Sequence, residues 1–233
     1  MARAVQYSFK RYEKKYFLTP LQKEIFLQHI APYVQPDAYG RYTICNLYYD
    51  TPDWQLIRAS LEKPIYKEKL RVRSYGVPAA DGRVFVEVKK KFDGIVYKRR
   101  IEQPANRVAA FLDGTVPAKT QIEKEIFRFQ QFYHTAPRVF IAYDREAYAG
   151  ENGVRITFDT GIRCRETALS LPAGDHGTPL LTNGKILTEV KIPAACPLWL
   201  SHALSEAGMT PVSFSKYGTF YREKLQKEAL FSA

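Results

Sequence analysis

The chain has 233 residues, of which 45% are hydrophobic, and this is enough to bury a sizeable core. Its 35 Lys and Arg residues outnumber its 24 Asp and Glu residues, and the net charge of +11 favours anionic partners such as nucleotides, nucleic acid, polyphosphate or acidic lipid. No segment approaches the ~20 apolar residues of a membrane span, and residues 1–18 lack a signal-peptide core. We expect neither export nor a transmembrane segment, while peripheral contact with a membrane or a membrane protein stays open.

The three cysteines, Cys45, Cys164 and Cys196, form no CxxC pair and no spacing typical of a metal site. An odd, scattered count does not indicate a secreted disulfide framework, so the reducing cytoplasm is the simplest setting. No internal repeat, low-complexity tract or linker divides the sequence. We therefore expect one domain over residues 1–233.

The first half of the chain predicts five strands, two helices and hairpin turns. A strand over 6–17 leads into a helix that Thr19 caps and Pro20 opens, ending near Ile30. A second strand over 42–50 is followed by a short helix carrying Trp54. Strands near 66–77, 83–91 and 94–102 are joined by turn-forming segments.

The second half predicts helices near 104–112 and 119–134, the latter with an apolar stripe typical of core packing. Strands follow at 138–148, 153–166 and 185–192, interrupted by a loop over 171–184, and the chain ends in helices near 197–207 and 217–230. About eight strands joined largely by short turns predict an α+β fold with an antiparallel sheet and surrounding helices.

Charged side chains recur on one face of these strands. Because successive side chains of a strand point to opposite faces, each of the following pairs shares a face: Arg71 with Arg73, Glu87 with Lys89, Lys98 with Arg100, Arg155 with Asp159, and Glu189 with Lys191. For any one strand, a solvated sheet face explains the pattern. Its recurrence in at least six segments favours an eight-stranded barrel with a polar interior that is wide enough for one small ligand.

Such an interior is too rich in positive charge to be dry, so we expect it to hold water and an anion. A phosphate chain suits it, because Arg engages phosphate oxygens bidentately and Lys acts as a point charge. Glu189, with Glu13 or Glu87, could bind Mg²⁺ or Mn²⁺ through oxygen ligands. A salt bridge to a neighbouring Lys or Arg is the alternative for each carboxylate, above all for Glu87 with Lys89 or Lys98.

The sequence resembles the VTC (vacuolar transporter chaperone) domain over nearly its whole length. The motifs that carry the resemblance are Arg11-Tyr12-Glu13-Lys14-Lys15-Tyr16, Leu47-Tyr48-Tyr49-Asp50-Thr51, Leu70-Arg71-Val72-Arg73-Ser74-Tyr75-Gly76, Val86-Glu87-Val88-Lys89, Tyr97-Lys98-Arg99-Arg100, Tyr143-Asp144-Arg145-Glu146-Ala147-Tyr148, Val154-Arg155-Ile156-Thr157-Phe158-Asp159, Leu187-Thr188-Glu189-Val190-Lys191 and Phe214-Ser215-Lys216-Tyr217. Each motif is short, but their ordered set is specific.

The resemblance implies a CYTH-like triphosphate tunnel fold, in which basic residues line an antiparallel barrel, and ATP-dependent synthesis of inorganic polyphosphate. It implies Glu189 as the metal ligand, with Lys191 beside it. It also implies phosphate contacts by Lys15, Arg58, Arg71, Arg73, Lys89, Lys98, Tyr143, Arg145, Arg155, Ser215 and Lys216. Among these, Arg71, Arg73, Lys98, Arg155 and Lys216 are our candidates for catalysis, and Arg100 and Lys191 are further substrate-binding candidates.

We therefore expect transfer of the ATP γ-phosphoryl group to polyphosphate or pyrophosphate, with Mn²⁺ or Mg²⁺ as cofactor. A tunnel-type triphosphatase is the nearest alternative. Such hydrolases resemble one another in an amino-terminal ExExK pattern, and Arg11 stands here in place of the first acid. A non-catalytic module that binds polyphosphate or inositol phosphates is a further alternative, although it would gain nothing from Glu189. Nucleic-acid binding ranks last, because no recognised motif accompanies the basic residues.

Overall fold

The computed structural model describes residues 12–181, 183–193 and 195–231. Arg11 and the predicted first part of the first strand lie outside the described residues. Within the described part, nine strands and six α-helices give the α+β class that the sequence predicts.

The strands are β1 (Tyr12–Leu18), β2 (Val34–Asp50), β3 (Tyr66–Tyr75), β4 (Arg83–Phe92), β5 (Ile95–Pro104), β6 (Ala136–Gly150), β7 (Arg155–Arg165), β8 (Thr178–Pro179) and β9 (Ile186–Ile192). The helices are α1 (Pro20–Ile30), α2 (Gln55–Leu61), α3 (Val108–Leu112), α4 (Gln121–Tyr133), α5 (Leu198–Glu206) and α6 (Lys216–Phe231). The segments Ala105–Arg107 and Glu151–Gly153 form short 3₁₀ turns.

Local sequence signals explain where the helices begin. Thr19 caps α1 with a reciprocal capping box to Gln22, and Pro20 occupies the first turn, where a missing N–H costs nothing. Thr120 and Glu123 form the equivalent box at α4. The predicted apolar stripe of α4 is also confirmed, since Ile126 and Phe129 are buried.

Three local features differ from the prediction. Strand β2 begins at Val34 rather than at residue 42, because Gly40 continues the strand with a φ of +60°, which its lack of a Cβ allows. Trp54 is the N-cap of α2 with a left-handed φ of 62°, not a helical residue. The predicted loop over 171–184 contains β8, whose two residues pair with Arg163 and Cys164.

Hydrogen bonds join the strands in the order β1–β9–β7–β6–β2–β3–β4–β5, with β8 on β7. Every pairing whose register is described is antiparallel. The chain divides into two compact units. The first takes its described residues from Met1–Tyr42, Asp144–Gly161 and Leu181–Phe214, and the second from Thr43–Tyr143, Ile162–Leu180 and Ser215–Ala233. The expectation of one domain over residues 1–233 stays a prediction.

Each unit has its own apolar core. In the first unit, helix α1 contributes Phe26 and Ile30 to a cluster with Phe158 of β7 and Val190 of β9. In the second unit, valines on one face of β4 pack with Phe111, Ile126 and Phe140. The opposite faces of these strands carry the charged residues, as alternation requires. Among the described residues, no helix is long and apolar enough to span a membrane.

Candidate functional site

The second unit gathers cations around one carboxylate on β3, β4 and β5. We call Arg71, Arg73, Glu87, Lys98 and Arg100 the arginine cluster. Glu87 lies opposite Arg71 on one side and Arg100 on the other. Its Oε2 is 2.7 Å from Nε of Arg71, and its Oε1 is 2.7 Å from Nζ of Lys98 and 3.9 Å from Nη1 of Arg100. The predicted alternative for Glu87, a salt bridge to Lys98, is therefore present.

Burial and neighbouring charges shift the pKa values in this cluster. Burial disfavours ionisation of Glu87, but Arg71, Arg73 and Lys98 outweigh it and lower the pKa of Glu87 to about 2. The pKa of Lys98 is lowered by burial and by Arg71 and Arg73, even though Glu87 opposes this shift. The cluster thus holds more positive charge than one carboxylate balances, and a bound anion would relieve the repulsion.

Arg73 is held by a polar network that the sequence did not predict. Its Nε donates to Oδ1 of Asn46 at 2.9 Å, and its Nη2 donates to the hydroxyl of Tyr143 at 3.3 Å. The ammonium of Lys216 lies 4.2 Å from the centroid of the Tyr143 ring. The network therefore brings together three predicted site residues, Arg73, Tyr143 and Lys216. The sequence contained one indication of this role for Asn46. It is a polar residue within an apolar strand, and it lies two residues before Tyr48, on the same face of that strand.

Helix α6 begins at Lys216, and two contacts fix that position. The Tyr217 hydroxyl donates to Oδ2 of Asp50 at 2.7 Å. The Ser215 hydroxyl accepts a hydrogen bond from the Gly218 amide at 3.2 Å, as a capping residue does. Ser215 is therefore already used at the helix end, and its predicted phosphate contact stays a prediction.

The arginine cluster is part of a longer band of positive charge. The cross-strand rows are Arg73–Phe85–Glu102, Arg71–Glu87–Arg100, Lys69–Lys89–Lys98 and Lys67–Lys91–Val96. We call their eight cations, Lys67, Lys69, Arg71, Arg73, Lys89, Lys91, Lys98 and Arg100, the cationic strip. Within these rows the only acids are Glu87 and Glu102. At about 3.3 Å per residue, the strip runs on the order of 20 Å along β3.

Lysines repel one another's charge at the far end of the cationic strip, which is the end that contains Lys67 and Lys91. The pKa of Lys67 is lowered by burial and then by Lys91, Lys89 and Lys63. The charges of these three lysines therefore all act on Lys67. A polyanion along the strip would offset this repulsion.

The first unit contains a smaller group of alternating charges, which we call the carboxylate cluster: Glu13, Lys15, Glu189 and Lys191. Lys15 Nζ lies 3.7 Å from Glu13 and 3.8 Å from Glu189. Lys191 Nζ lies 3.9 Å from Glu13 and 3.7 Å from Glu189. Both ammonium groups are thus shared between the same two carboxylates, at distances longer than the 2.7–2.9 Å typical of a charge-assisted hydrogen bond.

The carboxylate cluster fits a divalent cation of the Mg²⁺ type. Such an ion keeps several waters and is commonly bound by one or two carboxylates together with substrate phosphates, so Glu13 and Glu189 suffice as its protein ligands. No group of three or more His, Cys, Asp or Glu side chains able to hold a metal occurs in the described part of the chain. Glu87 fits less well, because cations already lie within 2.7 Å of both its oxygens.

The remaining predicted residues have other partners. Arg145 makes a bidentate pair with buried Asp159 at 2.6 and 2.8 Å and lies 3.9 Å from Glu189. Arg155 pairs with Asp37 at 3.7 Å.

Two further predicted residues are more exposed. Arg58 is half-exposed and pairs with Asp53 at 2.6 Å. Lys89 is an exposed member of the cationic strip. The roles that the resemblance implies for these residues stay predictions.

Three solved structures share the fold at low sequence identity. A proposed adenylyl cyclase from Hippeastrum, described as having dominant triphosphatase activity, has a TM-score of 0.53 and 16% identity, over 91% of this chain and 95% of that one. A proposed adenylate cyclase from Bacillus halodurans has a TM-score of 0.54 and 11% identity, over 87% and 92%. One from Vibrio parahaemolyticus has a TM-score of 0.50 and 12% identity, over 93% and 99%.

These similarities confirm the predicted α+β fold with an antiparallel sheet. Among the described residues, β1 and β5 are the two ends of the strand order, so closure of the predicted eight-stranded barrel stays a prediction. The comparison with curated protein sequences found no match. The VTC domain profile matches residues 10–223, which is most of the chain and includes both the arginine cluster and the carboxylate cluster. The predicted family is therefore confirmed, and the chain belongs to the VTC domain family.

Proposed function

We propose that the protein is an enzyme that synthesises inorganic polyphosphate from ATP. The observation that carries the proposal is the cationic strip, whose eight cations follow the strands for about 20 Å. The three phosphate groups of ATP cover only part of that length. A chain of phosphates would engage every row, with Arg residues binding oxygens bidentately and Lys residues supplying point charges.

The reaction needs no protein nucleophile. A terminal phosphate oxygen of the acceptor, polyphosphate or pyrophosphate, attacks the γ-phosphorus of ATP. The new P–O bond extends the chain as the bond between the γ-phosphorus and the β,γ-bridging oxygen breaks. ADP leaves with that electron pair. The task of the protein is to align the two phosphates and to neutralise negative charge on the transferred group.

In this proposal the arginine cluster neutralises the negative charge of the transferred phosphoryl group. Arg71 and Arg73 are preorganised by Glu87 and Asn46, so their donors need little reorientation when phosphate binds. Lys98 carries a lowered pKa, and a phosphate beside it would favour its charged form. Lys216 and Tyr143 extend the same group of donors through Arg73.

Mn²⁺ or Mg²⁺ is the proposed cofactor, with Glu189 and Glu13 as its ligands. A divalent ion bound there would add positive charge that neutralises phosphate oxygens. Lys15 and Lys191, which share the two carboxylates, would then have donors available to phosphates. The proposed partners are thus ATP, polyphosphate and a divalent metal. The cytoplasmic location and a peripheral membrane partner stay predictions.

A triphosphatase is the second candidate, and the carboxylate cluster favours it, since metal-bound water is a common nucleophile in hydrolases. A non-catalytic binding module is the third, because the cationic strip alone would bind a polyanion. Incubation of the purified protein with ATP and Mn²⁺, followed by electrophoresis and ADP quantification, separates them. Polymer, with ADP released in proportion to the phosphate incorporated, supports the polymerase. Free phosphate without polymer supports the triphosphatase, and unchanged ATP supports the binding module.

A further inference from the structure

Thr157 of β7 carries a buried hydroxyl that has no hydrogen-bond partner. The residue is 1% exposed, and its Oγ1 is shielded from solvent. An unsatisfied buried polar group costs about 1–3 kcal/mol, and native proteins contain few of them. Valine has nearly the same shape and would avoid that cost, so the hydroxyl at this position calls for an explanation.

The register of the sheet places Thr157 beside the carboxylate cluster. Thr157 lies directly opposite Glu189, which in turn lies opposite Lys15. Directly opposed residues of antiparallel strands have Cβ atoms about 4.5–5.5 Å apart on the same face. The Thr157 and Glu189 side chains are therefore neighbours on the charged face of these strands.

A second threonine shows that an unpartnered hydroxyl alone assigns no role. Thr188 of β9 is fully buried, and its Oγ1 also has no partner. It lies opposite Tyr16 and Phe158, both members of the apolar core of the first unit. Thr188 therefore faces hydrocarbon, whereas Thr157 faces the charged side of the same strands. This difference makes Thr188 a matched control.

We propose that Thr157 is a positioning residue that orients Glu189 for a divalent cation. In the structure, Lys15 and Lys191 lie 3.8 and 3.7 Å from the Glu189 carboxylate. A cation bound at Glu189 would repel both ammonium groups. The Thr157 hydroxyl would then donate a hydrogen bond to the Glu189 carboxylate and fix its orientation. This inference rests on the proposed function, which assigns the metal to Glu189.

The expected effect follows from how metal ligands are supported. A ligating carboxylate is usually hydrogen-bonded in turn, and loss of that partner commonly costs 10–100-fold in metal affinity. Replacing Thr157 by Val removes the hydroxyl without leaving a cavity and also removes the buried unsatisfied group. Thr157→Val is therefore expected to weaken metal binding while the melting temperature stays level or rises.

The test measures Mn²⁺ affinity from the EPR signal of free Mn²⁺, with the metal alone as the probe, and the melting temperature of each protein. The proteins are the wild type, Thr157→Val, Thr157→Ser, Thr188→Val and Glu189→Gln. Thr157→Val is expected to raise the Kd about 10–100-fold. Thr157→Ser and Thr188→Val should keep the wild-type Kd, and Glu189→Gln should lose the site.

Unchanged Mn²⁺ affinity in Thr157→Val overturns the inference. Equal losses in Thr157→Val and Thr188→Val also overturn it, since they would indicate a general packing effect. If the wild type binds no Mn²⁺, the metal assignment fails and the inference fails with it. The proposed polymerase activity is judged separately, by the products formed from ATP, so failure of the inference leaves that result intact.

Discussion

Glu87 Oε2 lies 2.7 Å from Nε of Arg71, and this ion pair is the centre of the arginine cluster. Glu87 is 2% exposed, while Arg71 retains partial exposure. The buried partner is therefore the acid, and the cation reaches toward solvent. In this arrangement Glu87 orients Arg71 without consuming all its donors, and the remaining guanidinium N–H groups can engage a phosphate.

Substitution of Glu87 by Gln should lower both stability and substrate affinity. The change leaves Arg71 and Lys98 without their buried countercharge, and we expect a loss of about 1–3 kcal/mol in the free energy of unfolding. The KM for ATP should rise, because the two cations are no longer preorganised. Calorimetry and steady-state kinetics measure these effects.

Glu102→Gln is the matched control for that substitution. The Glu102 carboxylate is 55% exposed and lies 3.6 Å from Arg83, so its loss should change stability by about 0.5 kcal/mol or less. Equal effects of the two substitutions would contradict the organising role of Glu87.

Acid should remove the stabilisation that ionised Glu87 provides. Its pKa is lowered to about 2 from the ordinary 4.5, so the contribution is complete above about pH 4.5 and is lost as the pH falls toward 2. Over that range the loss approaches about 1.4 kcal/mol per pH unit. Urea unfolding of the wild type and Glu87→Gln at pH 6, 4 and 3 measures it. The difference between them should shrink as the pH falls, and a constant difference would show that Glu87 titrates normally.

Three single substitutions should each cripple synthesis and leave the fold intact: Arg71→Ala, Arg155→Ala and Glu189→Ala. Removing one such charge contact typically costs 10–1,000-fold in rate. Initial rates of ADP formation measure the loss, and circular dichroism checks the fold. Arg83→Ala, at an exposed arginine outside the cationic strip, is the control. Near-wild-type turnover in any two of the three variants would refute the site assignment.

The far end of the cationic strip should matter for long chains more than for ATP. We expect the double variant Lys67→Ala/Lys91→Ala to bind polyphosphate about tenfold or more weakly and to release shorter product, with little change in the KM for ATP. Binding titrations with polyphosphate and product electrophoresis measure both effects.

Lys119→Ala/Lys124→Ala removes the same charge from another exposed part of the second unit and serves as the control. If both double variants weaken polyphosphate binding equally, net charge rather than the strip determines affinity. That result would remove the main support for the proposed polymerase, which is binding of a phosphate chain along the cationic strip.

Strand alternation made much of this arrangement predictable from the sequence. The period of two placed Arg71 and Arg73 on one face and set Lys98 and Arg100 together, and both pairs share a face in the structure. The start of α1 was equally predictable, because the Thr19 cap and Pro20 act locally. Both signals arise from residues that are close together along the chain, so one sequence is enough to reveal them.

Strand pairing was not predictable in the same way. Alternation does not reveal that Glu87 lies opposite Arg71, or that Thr157 lies opposite Glu189, since register depends on which distant strands meet. The left-handed Trp54 was missed for a related reason, because bulky residues rarely adopt a positive φ without support from their surroundings.

The most direct test of the account is polyphosphate formation from ATP and Mn²⁺ by the wild type and by Glu189→Ala, assayed side by side. Chain length is read by electrophoresis, and ADP and free phosphate are quantified in the same reactions. We predict that the wild type forms polymer with one ADP released per phosphate added, and that Glu189→Ala forms about 10–1,000-fold less. Free phosphate without polymer from the wild type, or equal polymer from both proteins, would contradict the account.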